Sequence, residues 1–162
     1  MANFKLSIED FEEIDFYIIA LHTPLEDYRL AYFLNLHLTI FLSKNKNDVE
    51  SQVKEGTTSF VRFTFEDKEK FIKWDLVQNK NEIEIFENKT SKDLFSGFDA
   101  KFSTSAYLLP EYKKVDYFLK IENAVNEIKI NEIVSKINKI ESIKMVYAID
   151  SEKIKSKNNL IF

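Results

Sequence analysis

The sequence contains no cysteine, so the chain can form no disulfide and offers no thiolate as a nucleophile or as a metal or cluster ligand. Glycine and proline are scarce, with two of each among 162 residues. Gly56 and Gly97 are isolated, and the spaced glycines of phosphate-binding loops are missing. This composition excludes nucleotide chemistry by the Walker or dinucleotide routes and suits a reducing cytosol.

Arginine is nearly missing as well, since only Arg29 and Arg62 occur in a lysine-dominated chain. The formal net charge is −4 and the pI is near 5.3. Binding a nucleic-acid phosphate backbone requires many positively charged side chains, and bidentate recognition of phosphate requires arginine. Nucleic-acid binding is therefore expected only through a local lysine patch.

The remaining composition indicates one folded domain over residues 1–162, because 44% of the residues are hydrophobic and 15 are phenylalanine. Met1–Lys5 leads directly into alternating residues, which predicts no secretory signal. The most apolar stretch, residues 16–42, is interrupted by charged and histidine side chains, unlike the roughly 20 apolar residues of a membrane span. A cytoplasmic protein without a membrane span is expected.

In the first half of the chain, alternating residues predict strands at 4–8 and 16–21, joined by the acidic turn 9–13, with the second strand central in a sheet. Thr23 and Glu26 form a capping box around Pro24, which predicts that a largely buried helix begins there and runs to about Leu42. Residues 43–58 are expected to form a loop with a helical turn around Val49 and Val53.

The second half predicts a hairpin of strands 60–66 and 71–78, a third strand at 82–87, an irregular stretch at 88–99 and an extended segment at 101–109. A β, α, β unit follows, with a helix at 129–141 and a strand from Ile143 to Ile149. The predicted fold is α+β, with a mostly antiparallel sheet, two main helices on one face and a ferredoxin-like β-α-β element in the C-terminal part. The apolar tail, residues 151–162, is expected to dock on the domain as an edge strand or to be offered to another protein.

The segment LPEYKKVDYF, residues 109–118, combines a proline bend with two carboxylates and three aromatic residues. It resembles the signature of the bacterial IPExxxDY family, with Leu109 in place of Ile and four residues between Glu111 and Asp116. The helix LEDYRLAYFLN, from Leu25, and the ending KSKNNLIF are similar to other parts of that family. The resemblance implies a cytosolic bacterial protein, and it supplies no activity, cofactor or active site.

The chain offers little material for catalysis. His22 and His37, its only histidines, lack the i, i+4 spacing of a zinc helix. No catalytic residue, metal site or cofactor is predicted. Glu111 and Asp116 are expected to start a turn and to accept from backbone donors at the entry of a strand. A small-molecule or enzymatic cleft near His22, Glu111 and Asp116 is an alternative.

The sequence therefore favours a non-catalytic accessory module that binds a protein partner. The candidate binding residues lie in three segments: Asp27, Tyr28 and Arg29; Glu111, Tyr112, Asp116 and Tyr117; and Leu160 and Phe162. Arg29 could instead pair with a carboxylate such as Glu26 or Asp116. A second alternative is a ribosome- or RNA-associated factor that uses Lys113, Lys114 and the tail lysines.

Overall fold

The computed structural model describes residues 16–53, 56–86, 101–124 and 128–162. The predicted strand 4–8, the acidic turn 9–13 and the whole irregular stretch 88–99 lie outside these ranges. In chain order the elements are β1 (Phe16–His22), α1 (Asp27–Leu38), β2 (Ser43–Lys44), β3 (Val49–Val53), β4 (Gly56–Phe60), β5 (Arg62–Asp67), β6 (Ile72–Gln78), β7 (Lys80–Phe86), β8 (Lys101–Tyr107), β9 (Tyr117–Glu122), α2 (Ile130–Asn138) and β10 (Met145–Ile149).

Six of these strands form the main sheet in the order β10-β1-β9-β6-β5-β2, and every neighbouring pair is antiparallel. β9, α2 and β10 form the β-α-β unit predicted from the sequence. Its two strands are parallel to each other and β1 lies between them, as in the split β-α-β arrangement of ferredoxin-like folds. The predicted α+β class with a mostly antiparallel sheet is confirmed.

Both faces of the sheet are covered. On the first face, α1 and α2 pack over apolar residues of β1, β6 and β9, including Ile19, Leu76 and Leu119. On the second face, Phe118 and other sheet residues contact residues of the β3–β4 and β7–β8 hairpins, the segment that follows β8 and the tail. Because β1 and β9 are buried on both faces, their sequences read as nearly continuous apolar runs. Neither α1 nor α2 is long and apolar enough to cross a membrane.

The boundaries of α1 differ from the prediction at both ends. The predicted capping box is not formed, because Glu26 makes no side-chain cap. Thr23 Oγ1 does accept from a backbone amide, that of Leu25 at 3.2 Å, and it donates to the Ser142 carbonyl at 2.8 Å. The helix ends at Leu38, four residues early. Thr39 adopts a left-handed φ of 56°, and the Asn35 amide bonds both backbone groups of Leu42, at 2.7 and 3.0 Å, which reverses the chain.

Val49 and Val53 lie in strand β3, so the predicted helical turn around them is wrong. β3 and β4 pair as a hairpin with Val49 opposite Phe60, and these two side chains are buried in the apolar core on the second face of the sheet, named here the second core. The predicted strand at 82–87 exists, but as β7 it pairs with β8 in a separate two-stranded sheet. β6 cannot accept it because β5 and β9 already occupy its two edges.

Asn79 holds the turn between β6 and β7 and is fully buried. Its side-chain amide donates to the carbonyls of Tyr112 and Val115 at 2.9 and 2.8 Å, and its side-chain oxygen accepts from the Leu109 amide at 3.0 Å. One side chain therefore fixes the path of the proline bend that precedes β9.

We expect Asn79→Ala to lower the free energy of unfolding by roughly 3 kcal/mol, because it leaves the buried Leu109 amide and Val115 carbonyl without partners and removes one of the two bonds to the Tyr112 carbonyl. Urea unfolding followed by circular dichroism measures this loss. Asn138→Ala, at an exposed position of α2, is the matched control and should change stability by less than about 0.5 kcal/mol. Equal effects of the two substitutions would contradict the role assigned to Asn79.

Candidate functional site

The solvent side of α1 carries three large apolar side chains spaced four residues apart: Tyr28, Tyr32 and Leu36. Their exposed fractions are 60%, 59% and 59%. Residues at this spacing lie on one side of a helix, so the three form a continuous stripe, named here the outer face of α1. Tyr28 belongs to the predicted binding residues, whereas Tyr32 and Leu36 lie in a helix that was expected to be largely buried.

The opposite side of α1 is apolar as well, because Leu30, Ala31 and Leu34 are buried against the sheet. A helix that is apolar on both sides is typical of one that is covered on both sides. The sequence carries this signal, since positions 28, 32 and 36 and positions 30 and 34 form two separate apolar faces. Periodicity alone does not tell which of the two faces the core covers.

Two charged residues flank the start of the outer face. Asp27 Oδ1 accepts from the Tyr28 amide at 2.7 Å, and the exposed Arg29 makes no ion pair within the described part of the chain. The expected pairing of Arg29 with Glu26 or Asp116 is therefore not formed.

Asp116 and Tyr117 anchor the segment that leads into α1. Asp116 Oδ2 accepts from the Thr23 amide at 2.8 Å, as expected for a carboxylate at the entry of a strand. The Tyr117 hydroxyl donates to the Leu25 carbonyl at 2.9 Å. Burial, followed by the nearby charges of Asp27, Asp116 and Glu26, raises the pKa of Tyr117 to about 12. Tyr117 thus stays protonated and buried, and its hydrogen bond to Leu25 fixes the segment that leads into α1.

Glu111 binds the tail. Its Oε1 accepts from the amides of Lys155 and Ser156 at 2.8 and 2.9 Å, and its Oε2 accepts from the Ser156 hydroxyl at 2.9 Å. Partial burial raises the pKa of Glu111, but the hydrogen bonds from Ser156 and Lys155 outweigh this effect and leave the pKa below its ordinary value. The neighbouring Tyr112 is half-buried, with its ring edge-on to Phe118.

The tail forms the 3₁₀ turns Ser151–Lys153 and Lys157–Leu160 and crosses the second face of the sheet. Leu160 is buried, and its carbonyl accepts from Lys120 Nζ at 2.6 Å. The Phe162 ring lies 4.6 Å from Lys120 Nζ, and the Phe162 backbone oxygen accepts from Lys73 Nζ at 3.1 Å. An edge strand, as expected for this segment, is not formed.

Beneath the tail lies a group of five ionisable residues, named here the charged cluster. Its members are Arg62, Lys73, Asp75, Lys120 and Glu122. Asp75 is fully buried. Arg62 Nε lies 2.9 Å from Asp75 Oδ1, and Lys73 Nζ lies 3.3 Å from Oδ2, which is an ion-pair distance without hydrogen-bond geometry. The cluster is an ion-pair network in which Asp75 and Lys120 are buried and Lys73 and Glu122 are partly exposed, and the tail bonds both of its lysines.

The alternative cleft near His22, Glu111 and Asp116 is not assembled. His22 Nε2 lies 3.4 Å from the Tyr147 hydroxyl. Asp116 lines a cavity of about 320 Å³ beside β7, whereas Glu111 lines a different one of about 340 Å³ beside Tyr147. The described residues also contain no group of three or more histidine and carboxylate side chains placed to hold a metal ion.

The lysines of the RNA alternative lie on neighbouring segments. Lys113 and Lys114 are exposed at the end of the proline bend, and the bonds of Glu111 bring that bend next to Lys155. The Glu111 carboxylate lies between the two segments and reduces the local positive charge.

Comparison with models of protein families, with curated proteins and with solved structures finds no match for this chain. Membership of the IPExxxDY family stays a prediction that rests on the motifs given above.

We expect Glu111→Gln to release residues 155 and 156, because the charged acceptor of three hydrogen bonds is lost. The cost at pH 7 is about 1 kcal/mol, since solvent screens this exposed carboxylate. Amide hydrogen exchange of Lys155 and Ser156 measures the release, and Glu141→Gln, at an exposed position after α2, is the control.

The pH dependence of this effect has a defined sign. The folded-state pKa of Glu111 lies below its ordinary 4.5, so the stabilisation is present above about pH 4.5 and is lost as the pH falls through the folded-state pKa. The difference between the natural chain and Glu111→Gln should therefore shrink on acidification. A difference that stays constant down to pH 2.5 would contradict this assignment.

We expect Asp75→Asn to lower the free energy of unfolding by roughly 3 kcal/mol or more, because it leaves Arg62, whose side chain is only 12% exposed, without its carboxylate. Glu122→Gln, at the more open end of the cluster, should cost less, about 1–2 kcal/mol, because Glu122 is partly exposed and the buried Lys120 keeps the Leu160 carbonyl as an acceptor. Denaturant unfolding of both variants at pH 7 checks the order. A larger loss for Glu122→Gln would show that the open end of the cluster, and not Asp75, controls stability.

Proposed function

We propose that the protein is a non-catalytic interaction module and that it binds a partner protein through the outer face of α1. The observation that carries this proposal is the exposure of Tyr28, Tyr32 and Leu36 on a helix whose other side is already buried. Single exposed apolar residues are ordinary on protein surfaces. Three in a row along one helix are typical of a surface that another molecule covers.

The chemistry of the outer face indicates the kind of partner. Tyrosine and arginine are enriched among the residues that dominate binding energy, because they combine a large contact area with a polar group. Tyr28, Tyr32 and Leu36 supply the apolar area, and Arg29 adds a fork of donors at one end. The matching partner presents an apolar groove or helix with a carboxylate opposite Arg29.

The other predicted binding residues support the domain that presents this helix. Asp116 and Tyr117 hold the segment before α1, and Glu111 holds the tail. Glu111 and Asp116 line different cavities, which favours a binding role over catalysis by this pair, because acid and base groups act together only within hydrogen-bonding reach of one substrate.

Site-specific photocrosslinking in the native cell tests the proposal. A photoreactive amino acid at position 32 should yield an adduct of defined mass with one partner protein. The same amino acid at Met145, an exposed position on edge strand β10, is the control and should not yield that adduct. Leu36→Asp should reduce the position-32 adduct about tenfold or more by placing a charge in the interface, while circular dichroism of the purified variant stays unchanged.

The mass and composition of the adduct separate the alternatives. A protein adduct that survives nuclease and depends on Leu36 supports the proposal. An adduct that nuclease removes would overturn it in favour of an RNA- or ribosome-associated factor. Labelling that is equal at positions 32 and 145, or no adduct at position 32, would remove the outer face as a binding surface.

A further inference from the structure

On the helix side of the sheet, a groove of about 370 Å³ opens between the end of α1, the start of α2 and the tip of the β5–β6 hairpin. Ile72, Trp74 and Ile133 line it, and all three belong to the buried core of the first face. The apolar core therefore reaches the surface at this groove. A volume of this size lies at the lower end of the roughly 300–1,000 Å³ of small-molecule pockets.

One wall of the groove is aromatic. Phe41 is 73% exposed, and its ring stands edge-on to the half-buried Phe65 with 5.8 Å between centroids. Phe41 lies within the range predicted for a largely buried helix, but α1 ends at Leu38 and the chain reverses at Thr39, which leaves this ring exposed. The exposed ring supplies apolar contact area that a ligand in the groove would cover.

The rim of the groove has a net positive charge, because three lysines, Lys70, Lys129 and Lys136, line it together with two acids, Asp67 and Glu132. Among its acids, Asp67 Oδ1 accepts from the amides of Glu69 and Lys70 in its own turn, and Glu132 pairs with Lys129 at 3.6 Å. Lys70 and Lys136 also line the groove, and neither lies within ion-pair distance of a carboxylate in the residues that the structure describes. An apolar floor with two available ammonium groups at its edge is complementary to an amphiphilic anion.

We propose that this groove binds a medium-chain fatty carboxylate. The acyl chain lies over Trp74 and Ile133 with Phe41 and Phe65 alongside, and the carboxylate faces Lys70 and Lys136. The inference does not depend on the proposed partner-binding role, because none of these residues belongs to the outer face of α1.

The chain offers a built-in reporter, since Trp74 is its only tryptophan. Titration of the full chain with decanoate, kept below its micellar concentration, should change the Trp74 fluorescence in a saturable way. Decyltrimethylammonium has the same chain with the opposite charge, and it should bind about tenfold more weakly or not at all, since the lysine rim repels it. The decanoate affinity should fall as ionic strength rises, because the head-group contacts are exposed.

A pair of matched double variants tests the head-group contacts. Lys70→Gln with Lys136→Gln should weaken decanoate binding about fivefold, as expected for two exposed ion pairs. Lys68→Gln with Lys139→Gln removes two exposed lysines close in sequence to the first pair, one in the same hairpin turn and one directly after α2, and it should leave the affinity unchanged. Phe41→Ala should also weaken binding because it removes one wall, and circular dichroism should show all of these variants folded.

Three results would overturn the proposal: a fluorescence change that stays linear with decanoate, equal affinities for the anionic and cationic chains, and equal affinities of the two double lysine variants. Saturable binding with the expected charge preference, together with loss only in the Lys70 and Lys136 variant, would establish the site. These outcomes are independent of the crosslinking experiment at position 32.

Discussion

Asp75 and Lys120 face each other across β6 and β9 in the middle of the sheet, and water reaches neither side chain well enough to solvate its charge. Taking such charges out of water is costly unless each is paired and hydrogen-bonded. Asp75 forms an ion pair with Arg62, and Lys120 donates a hydrogen bond to the carbonyl of Leu160. The tail is therefore a structural part of the sheet, because the second face cannot be closed without it. Glu111 contributes from the surface, because its hydrogen bonds to Lys155 and Ser156 fix the position of the tail before it reaches Lys120.

The elements that were predictable from the sequence are those whose pattern depends on their own residues. β1 is apolar on both faces, α2 has one apolar stripe, and the β5–β6 hairpin alternates around a charged turn, so all three were found. The errors arise where distant residues decide the local structure. Val49 becomes part of a strand because Phe60 and the second core cover it, and α1 ends early because Asn35 bonds Leu42. No local pattern reports such partners.

For the candidate sites, the sequence indicated the right segments but not the division of roles within them. Tyr28 and Arg29 are exposed as expected. The exposure of Tyr32 and Leu36 can be recognised only once the position of the sheet relative to α1 is known. The groove depends on the reversal after α1, which no periodicity shows. Glu111 accepts from backbone groups more than forty residues away, so its role could be suggested as an acceptor but its partners could not be named.

The position of β1 between β9 and β10 has a consequence for how the chain acquires its structure. Ile19 pairs with Leu119 on one side and with Ala148 on the other. β1, the first described strand, can therefore complete its pairing only after β10, the last one, has been synthesised. As the chain emerges during synthesis, β1 is an apolar strand with two open edges until nearly the whole sequence has been made. Pairings this distant in sequence form slowly, and exposed strands of this kind are prone to aggregate. We therefore expect the nascent chain to depend on chaperones that shield residues 16–22 until β9 and β10 have been synthesised.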